Sequence, residues 1–153
     1  MISKYTYKNL TWIDVERPKR DEIVHLSEEY NLPELIGEEL LRNTVRSKVD
    51  FYEKLGLVYL VLHFPMVINH GKQNDRAEQE IDFVMGKDFL ITVHYEVIDP
   101  LHEFSKTFEV NSVLDKSQIG DHSGFLFFFI IRELYKDSLR QLAQIDRHLE
   151  EIE

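Results

Sequence analysis

The segment Glu80 to Glu96, E-I-D-F-V-M-G-K-D-F-L-I-T-V-H-Y-E, admits few folds. Two runs rich in β-branched and aromatic residues flank a polar turn at Gly86-Lys87-Asp88, the pattern of a tight hairpin. In the first arm Ile81, Phe83 and Met85 alternate with Asp82 and Val84, so one face is clearly apolar. The second arm, Phe89 to Val93, is almost continuously apolar, which predicts a strand covered on both faces. Helices must supply the covers, and the rest of the chain contains them.

Leu10 to Val15 reads as a short strand, and Pro18 stands near the first turn of a helix carrying Ile23, Leu26 and Tyr30. Asn31-Leu32-Pro33 ends that helix, and Pro33 opens a second one with Leu35, Ile36, Leu40 and Leu41. Lys48 to Glu53 and Leu57 to Val67 are strand-like runs joined near Lys54-Leu55-Gly56. Ile68 to Gln79 and Lys116 to Gly124 read as loops, the first of them mobile. Asp99-Pro100 launches a helix with Leu101, Phe104 and Phe108.

The last thirty or so residues carry a second pattern. Phe128, Ile131, Tyr135, Ser138, Leu142, Ile145, Leu149 and Ile152 recur every three or four residues, a heptad seam interrupted only by Ser138. The seam makes Phe125 to Ile131 helical rather than a buried strand, and a helix from Ser123 would extend roughly 45 Å. Two readings of the seam stand open: packing on the sheet, or a partner helix outside this chain. The division expected is an α/β domain over residues 1–120 and a long helix over 121–153, packed on the sheet at its start.

Composition narrows the function. A chain of 153 residues with 43% hydrophobic content can bury a real core. Without cysteine it has no disulfide, thiolate metal site or cysteine nucleophile. Its net charge of −10 repels phosphate backbones and argues against nucleic-acid partners. The same charge suits cations, and equally a plain soluble surface. Met1 to Thr11 lacks the apolar core of a signal peptide. Leu57 to Phe64 and Phe125 to Ile131 fall far short of the ~20 apolar residues a bilayer requires, so the polypeptide reads as soluble.

Catalytic signatures are missing. The histidines form no H-E-x-x-H or other ligand spacing, and His63 and His94 read as packed or edge residues of strands. Asp121-His122-Ser123 holds triad residue types only in sequence, with no G-x-S-x-G elbow and no phosphate loop. The expectation is a protein that is not an enzyme.

Taken in order, Thr11-Trp12-Ile13-Asp14, Leu35 to Leu41, Arg46 to Tyr52, Tyr59 to Leu62, Ile81 to His94 and Leu142 to Glu153 carry a further signal. Together they resemble the cytoplasmic N-terminal domain of the CorA family of Mg²⁺/Co²⁺ transporters, over nearly the whole chain. The resemblance implies a mixed β-sheet sandwiched by helices (α/β/α), with a long C-terminal helix leading toward stalk and membrane helices. It also implies a homo-pentamer on the cytoplasmic face of a membrane, and a Gly-Met-Asn pore signature that this chain does not contain. The chain would then be an excised soluble portion or a natural truncation, and a monomer or helix-mediated dimer when isolated.

By the same resemblance Glu39, with Glu38 beside it, would bind a regulatory Mg²⁺ together with an aspartate on a neighbouring subunit's stalk. That cation would hold the pore shut. An acidic residue of some relatives aligns with Arg132, which could pair instead with Glu38 or Glu39. Two alternatives are a zinc exporter of the ZntB type and a free-standing α/β enzyme or small-ligand protein.

Overall fold

The computed structural model describes residues 1–65, 78–113 and 119–152. The strands are β1 (Ile2–Tyr7), β2 (Leu10–Glu16), β3 (Lys48–Tyr52), β4 (Leu57–Pro65), β5 (Glu78–Met85) and β6 (Phe89–His94). The helices are α1 (Arg20–Tyr30), α2 (Glu34–Glu39), α3 (Asp99–Val113) and α4 (Ser123–Glu150). The strands form one sheet in the order β1-β2-β6-β5-β4-β3, antiparallel everywhere except the parallel central pair β2 and β6. The sheet is therefore mixed, as expected.

Alternation along the strands sorts the side chains into two cores. Ile13, Val15, Tyr59, Val61, Val84, Ile91 and Val93 face Ile23, Leu26, Ile36 and Leu40 of the α1–α2 layer. Trp12, Ile81, Phe83 and Leu90 face Leu101 and Phe108 of α3 and Leu126, Ile130 and Leu134 of α4. All six residues of β6 are buried, because both of its faces are covered. The arrangement is the expected α/β/α sandwich.

The helix boundaries follow local chemistry. Glu22 accepts from the Lys19 amide at 3.0 Å at the start of α1, and Asn31 ends the helix in the left-handed region at φ 51°. Pro33 caps α2, which is shorter than the sequence suggested and stops at Glu39. A 3₁₀ turn over Glu53–Leu55 and Gly56 at φ 63° joins β3 to β4. The Leu101 and His102 amides bond to the Ile98 carbonyl, so α3 opens one residue before the expected Asp99 cap.

The hairpin also anchors α4. The Gly86 amide donates to the Phe89 carbonyl at 3.0 Å, and a side chain at Gly86 would drive into the Phe89 ring, 2.2 Å away. The turn then receives the start of α4. Ser123, fully buried, donates its amide to Lys87 at 3.0 Å and its hydroxyl to the Gly86 carbonyl.

Two readings are corrected, and one left open is narrowed. The edge strand β1 was missed, because the face it turns to the core carries Ser3, Tyr5 and Tyr7 while Ile2 is exposed, so no aliphatic alternation shows. Glu78 and Gln79 belong to β5 rather than to a loop; 68–77 of that loop, and 116–118 of the next, lie outside the described residues. The heptad seam, apart from the partly buried Ile131, is not the face of α4 that packs on the sheet. Leu126, Ile130 and Leu134 do so, while Phe128, Tyr135, Leu142, Ile145 and Leu149 stand about half exposed.

Candidate functional site

The acidic pair sits at the end of α2, on the outer side of the α1–α2 layer. Glu38 accepts from Arg20 Nη1 at 3.1 Å and Arg42 Nη2 at 3.2 Å. Hydrogen bonding and charge, Arg20 first, hold its carboxyl below the usual range. Glu39 turns the other way and takes the Lys48 ammonium, which also meets Asp50 Oδ2 at 2.9 Å. Lys48 lies over the Tyr59 ring, 4.9 Å from its centroid. Burial lowers the lysine's affinity for its proton, but the bonds to Glu39 and Asp50 outweigh it and raise its pKa. The two glutamates thus have separate partners, and an ammonium stands between the Glu39 and Asp50 carboxylates.

Residues 40–47 link α2 to β3 as a strap laid over a polar patch of the sheet. Tyr95 donates its hydroxyl to the carbonyls of Leu40 at 3.0 Å and Arg42 at 2.7 Å. Glu80 accepts the Thr44 amide at 2.8 and 3.0 Å. His63 Nε2 lies 2.9 Å from the Thr44 carbonyl, and Nδ1 lies 3.0 Å from Ser47 Oγ. These partners fit the Nε2–H tautomer, with Ser47 donating.

Beneath the strap, Asp82 is fully buried, flanked across the sheet by Val61 and Val93. Tyr59 donates to its Oδ2 at 2.8 Å, and Oδ1 has no partner among the described residues. Burial pushes its pKa up to about 8, against the Tyr59 hydrogen bond and with help from the charges of Glu80 and Glu39. Sequence reading missed this carboxyl. Its place in the alternation marked it as belonging to the less apolar face, yet that face is covered by α1 and α2.

A second network ties two of the sequence motifs together. Trp12 Nε1 donates to Thr92 Oγ1 at 2.9 Å, and Thr92 donates onward to Asp14 Oδ1 at 2.5 Å. His94 Nε2 lies 3.3 Å from Asp14 Oδ2, and its Nδ1 lies 2.5 Å from the Glu96 carbonyl. Acceptors on both sides of the ring select the imidazolium. Burial opposes that charge, but Asp14 and the Glu96 carbonyl outweigh it and raise the pKa above 6.5. A raised histidine contributes stability that is fully present below the unfolded value and is lost as pH rises through the folded one. The melting-temperature gap between the native chain and His94→Gln is therefore expected to be widest near pH ~5.5 and to narrow above about pH 7. A gap constant with pH would refute the assignment. His63 and His94 are packed residues, as expected.

Arg132 pairs with neither glutamate. Its Nε meets Glu133 Oε1 at 3.2 Å and its guanidinium lies 4.6 Å from the Phe129 centroid, because its position on α4 faces the cleft with α3. That cleft encloses about 390 Å³ and mixes arginines with Glu103, Glu133 and Asp137. Among the described residues no cluster of three or more acidic or histidine side chains could hold a metal, and no helix is long and apolar enough to cross a membrane.

The fold is shared with solved structures. The complete structure of the CorA magnesium transporter from Methanocaldococcus jannaschii matches 96% of this chain with a TM-score of 0.74 and 19% identity. Its soluble domain matches 94% with a TM-score of 0.69 and 19% identity. The ZntB cytoplasmic domain from Vibrio parahaemolyticus RIMD 2210633 matches 95% with a TM-score of 0.72 and 18% identity. The chain spans 44%, 54% and 56% of those chains respectively. No curated protein sequence matches it. The sequence model of CorA-like Mg²⁺ transporter proteins, however, matches residues 7–153, which takes in both buried networks, the acidic end of α2 and the whole of α4. By that match the chain belongs to the family of CorA-like Mg²⁺ transporter proteins.

Proposed function

We propose that this chain is the cytoplasmic cation-sensing part of a divalent-cation transporter carrying Mg²⁺ or Co²⁺. Residues 1–120 would form the sensing body, and 121–153 the arm toward stalk and membrane helices. It would work in a homo-oligomer, a pentamer by family resemblance. The observation that carries the reading is the Lys48 ammonium held between the Glu39 and Asp50 carboxylates. Hard oxygen donors there flank a position already filled by a cation. A regulatory Mg²⁺ takes such donors and completes its shell with water and a carboxylate from the neighbouring subunit. Glu39 is the residue assigned to that cation, with Glu38 beside it held by Arg20 and Arg42. Lys48 has to be displaced, so binding to the isolated chain is weak.

Mg²⁺ titration of the membrane-containing parent, with transport as the readout, tests the assignment. In Glu39→Ala, closing the pore is expected to need about tenfold more Mg²⁺. Identical titrations would end the role of Glu39 while leaving family membership untouched. The likeness to a ZntB cytoplasmic domain keeps a zinc transporter as the second reading, and flux of Mg²⁺, Co²⁺ and Zn²⁺ through the parent separates the two.

A further inference from the structure

The strap over residues 40–47 rests on a carboxyl whose burial is unexplained by packing or by the cation site. Asp82 lies at the centre of the covered face, with one oxygen bound by Tyr59 and the other without a partner among the described residues. The charged and titratable groups facing it are Tyr59 and His63 on β4, Glu80 on its own strand, Tyr95 after β6, Glu39 at the end of α2, and Lys48 and Asp50 on β3. Glu39 acts on it through charge and makes no hydrogen bond to it. No cation among these groups touches Asp82. The Lys48 ammonium is engaged by Glu39 and Asp50, and the His63 ring meets Ser47, the Thr44 carbonyl and, at 3.6 Å, Glu80 rather than Asp82.

Glu80 is the link outward, because its carboxylate takes the Thr44 amide through both oxygens. A neutral Asp82 leaves that carboxylate with the His63 ring 3.6 Å away and no second carboxylate charge on the same strand beside it. An ionised Asp82 puts a second negative charge next to it, in a place with little water to screen either. Glu80 can relieve the repulsion by swinging toward solvent, which releases Thr44.

We propose that Asp82 is a proton-operated latch, neutral when the strap is closed and opening the Glu80–Thr44 contact when it ionises. The inference does not rest on the cation-sensing reading, and it concerns the chain as it stands. It implies that the link between α2 and β3 loosens with rising pH.

Hydrogen exchange of the Thr44 amide, expressed as a protection factor, tests it from about pH 6 to about pH 10. Protection in the native chain is expected to fall about tenfold or more across the Asp82 titration. Asp82→Asn, which cannot ionise, should hold it level. Glu80→Gln keeps an acceptor for Thr44 without the charge and should do the same. Carbon-13 titration of the native chain supplies a check independent of either variant. An Asp82 carboxyl already ionised near pH ~6 would overturn the proposal. So would level protection in the native chain, or a fall in the variants equal to that of the native chain.

Discussion

Trp12→Ala is expected to cost about 3–5 kcal/mol of stability, a large share of the 5–15 kcal/mol typical of a domain. Trp12 is fully buried in the core under α3, with ring centroids 5.0 Å from Tyr5, 5.5 Å from Phe104 and 6.0 Å from Phe108. Removing the indole opens a cavity bordered by β1, β6 and α3, and a sheet held by parallel pairing on β6 cannot collapse into it. Trp12→Phe separates packing from hydrogen bonding. It keeps most of the apolar volume and loses mainly the bond to Thr92, a cost of about 1–2 kcal/mol. Thr92→Val should exceed that, since it also takes a donor from the partly buried Asp14 carboxylate. Urea denaturation with an unchanged m-value reads all three. An alanine variant within about 1 kcal/mol of the native chain would show that Trp12 does not organise this layer.

The hairpin and the sandwich were legible in the sequence because they rest on near-neighbour patterns. Alternation over β5, continuity over β6 and the Gly86 turn each concern adjacent residues. The Trp12–Thr92–Asp14–His94 network was not legible as chemistry, although all four residues stood in the family-like segments. It forms only because β2 and β6 pair in parallel, with Trp12 opposite Leu90 and Asp14 opposite Thr92, and nothing local states that register. Asp82 was missed for a related reason. A polar residue in an alternating strand predicts an open face, and only the placement of α1 and α2 closes it. Glu38 and Glu39 were singled out by resemblance alone. Their partners Arg20, Arg42 and Lys48 come from three different elements, a convergence that sequence spacing does not display.

Helix α4 is expected to behave as two bodies in the isolated chain, and a pair of substitutions should reveal the boundary. Ser123, Leu126, Ile130 and Leu134 are buried, at the spacing of a single helical face. Past Leu134 no described residue of the helix is buried, although the 28-residue helix continues to Glu150 and is about 42 Å long. Ile130→Ala removes buried methyl groups and should cost about 2–4 kcal/mol. Leu142→Ala removes a side chain 56% exposed and should change stability by less than about 0.5 kcal/mol. Hydrogen exchange adds a reading along the helix. Some 15 residues without a tertiary face make a marginal helix in water, so amides beyond Leu142 should exchange orders of magnitude faster than those near Ile130. The outcome bears on the seam of Phe128, Tyr135, Leu142, Ile145 and Leu149. If Leu142→Ala proves as costly as Ile130→Ala, the seam is already covered in this chain, by another copy in solution. If it is near neutral, the seam is a free surface whose packing energy is available to a helix that joins it.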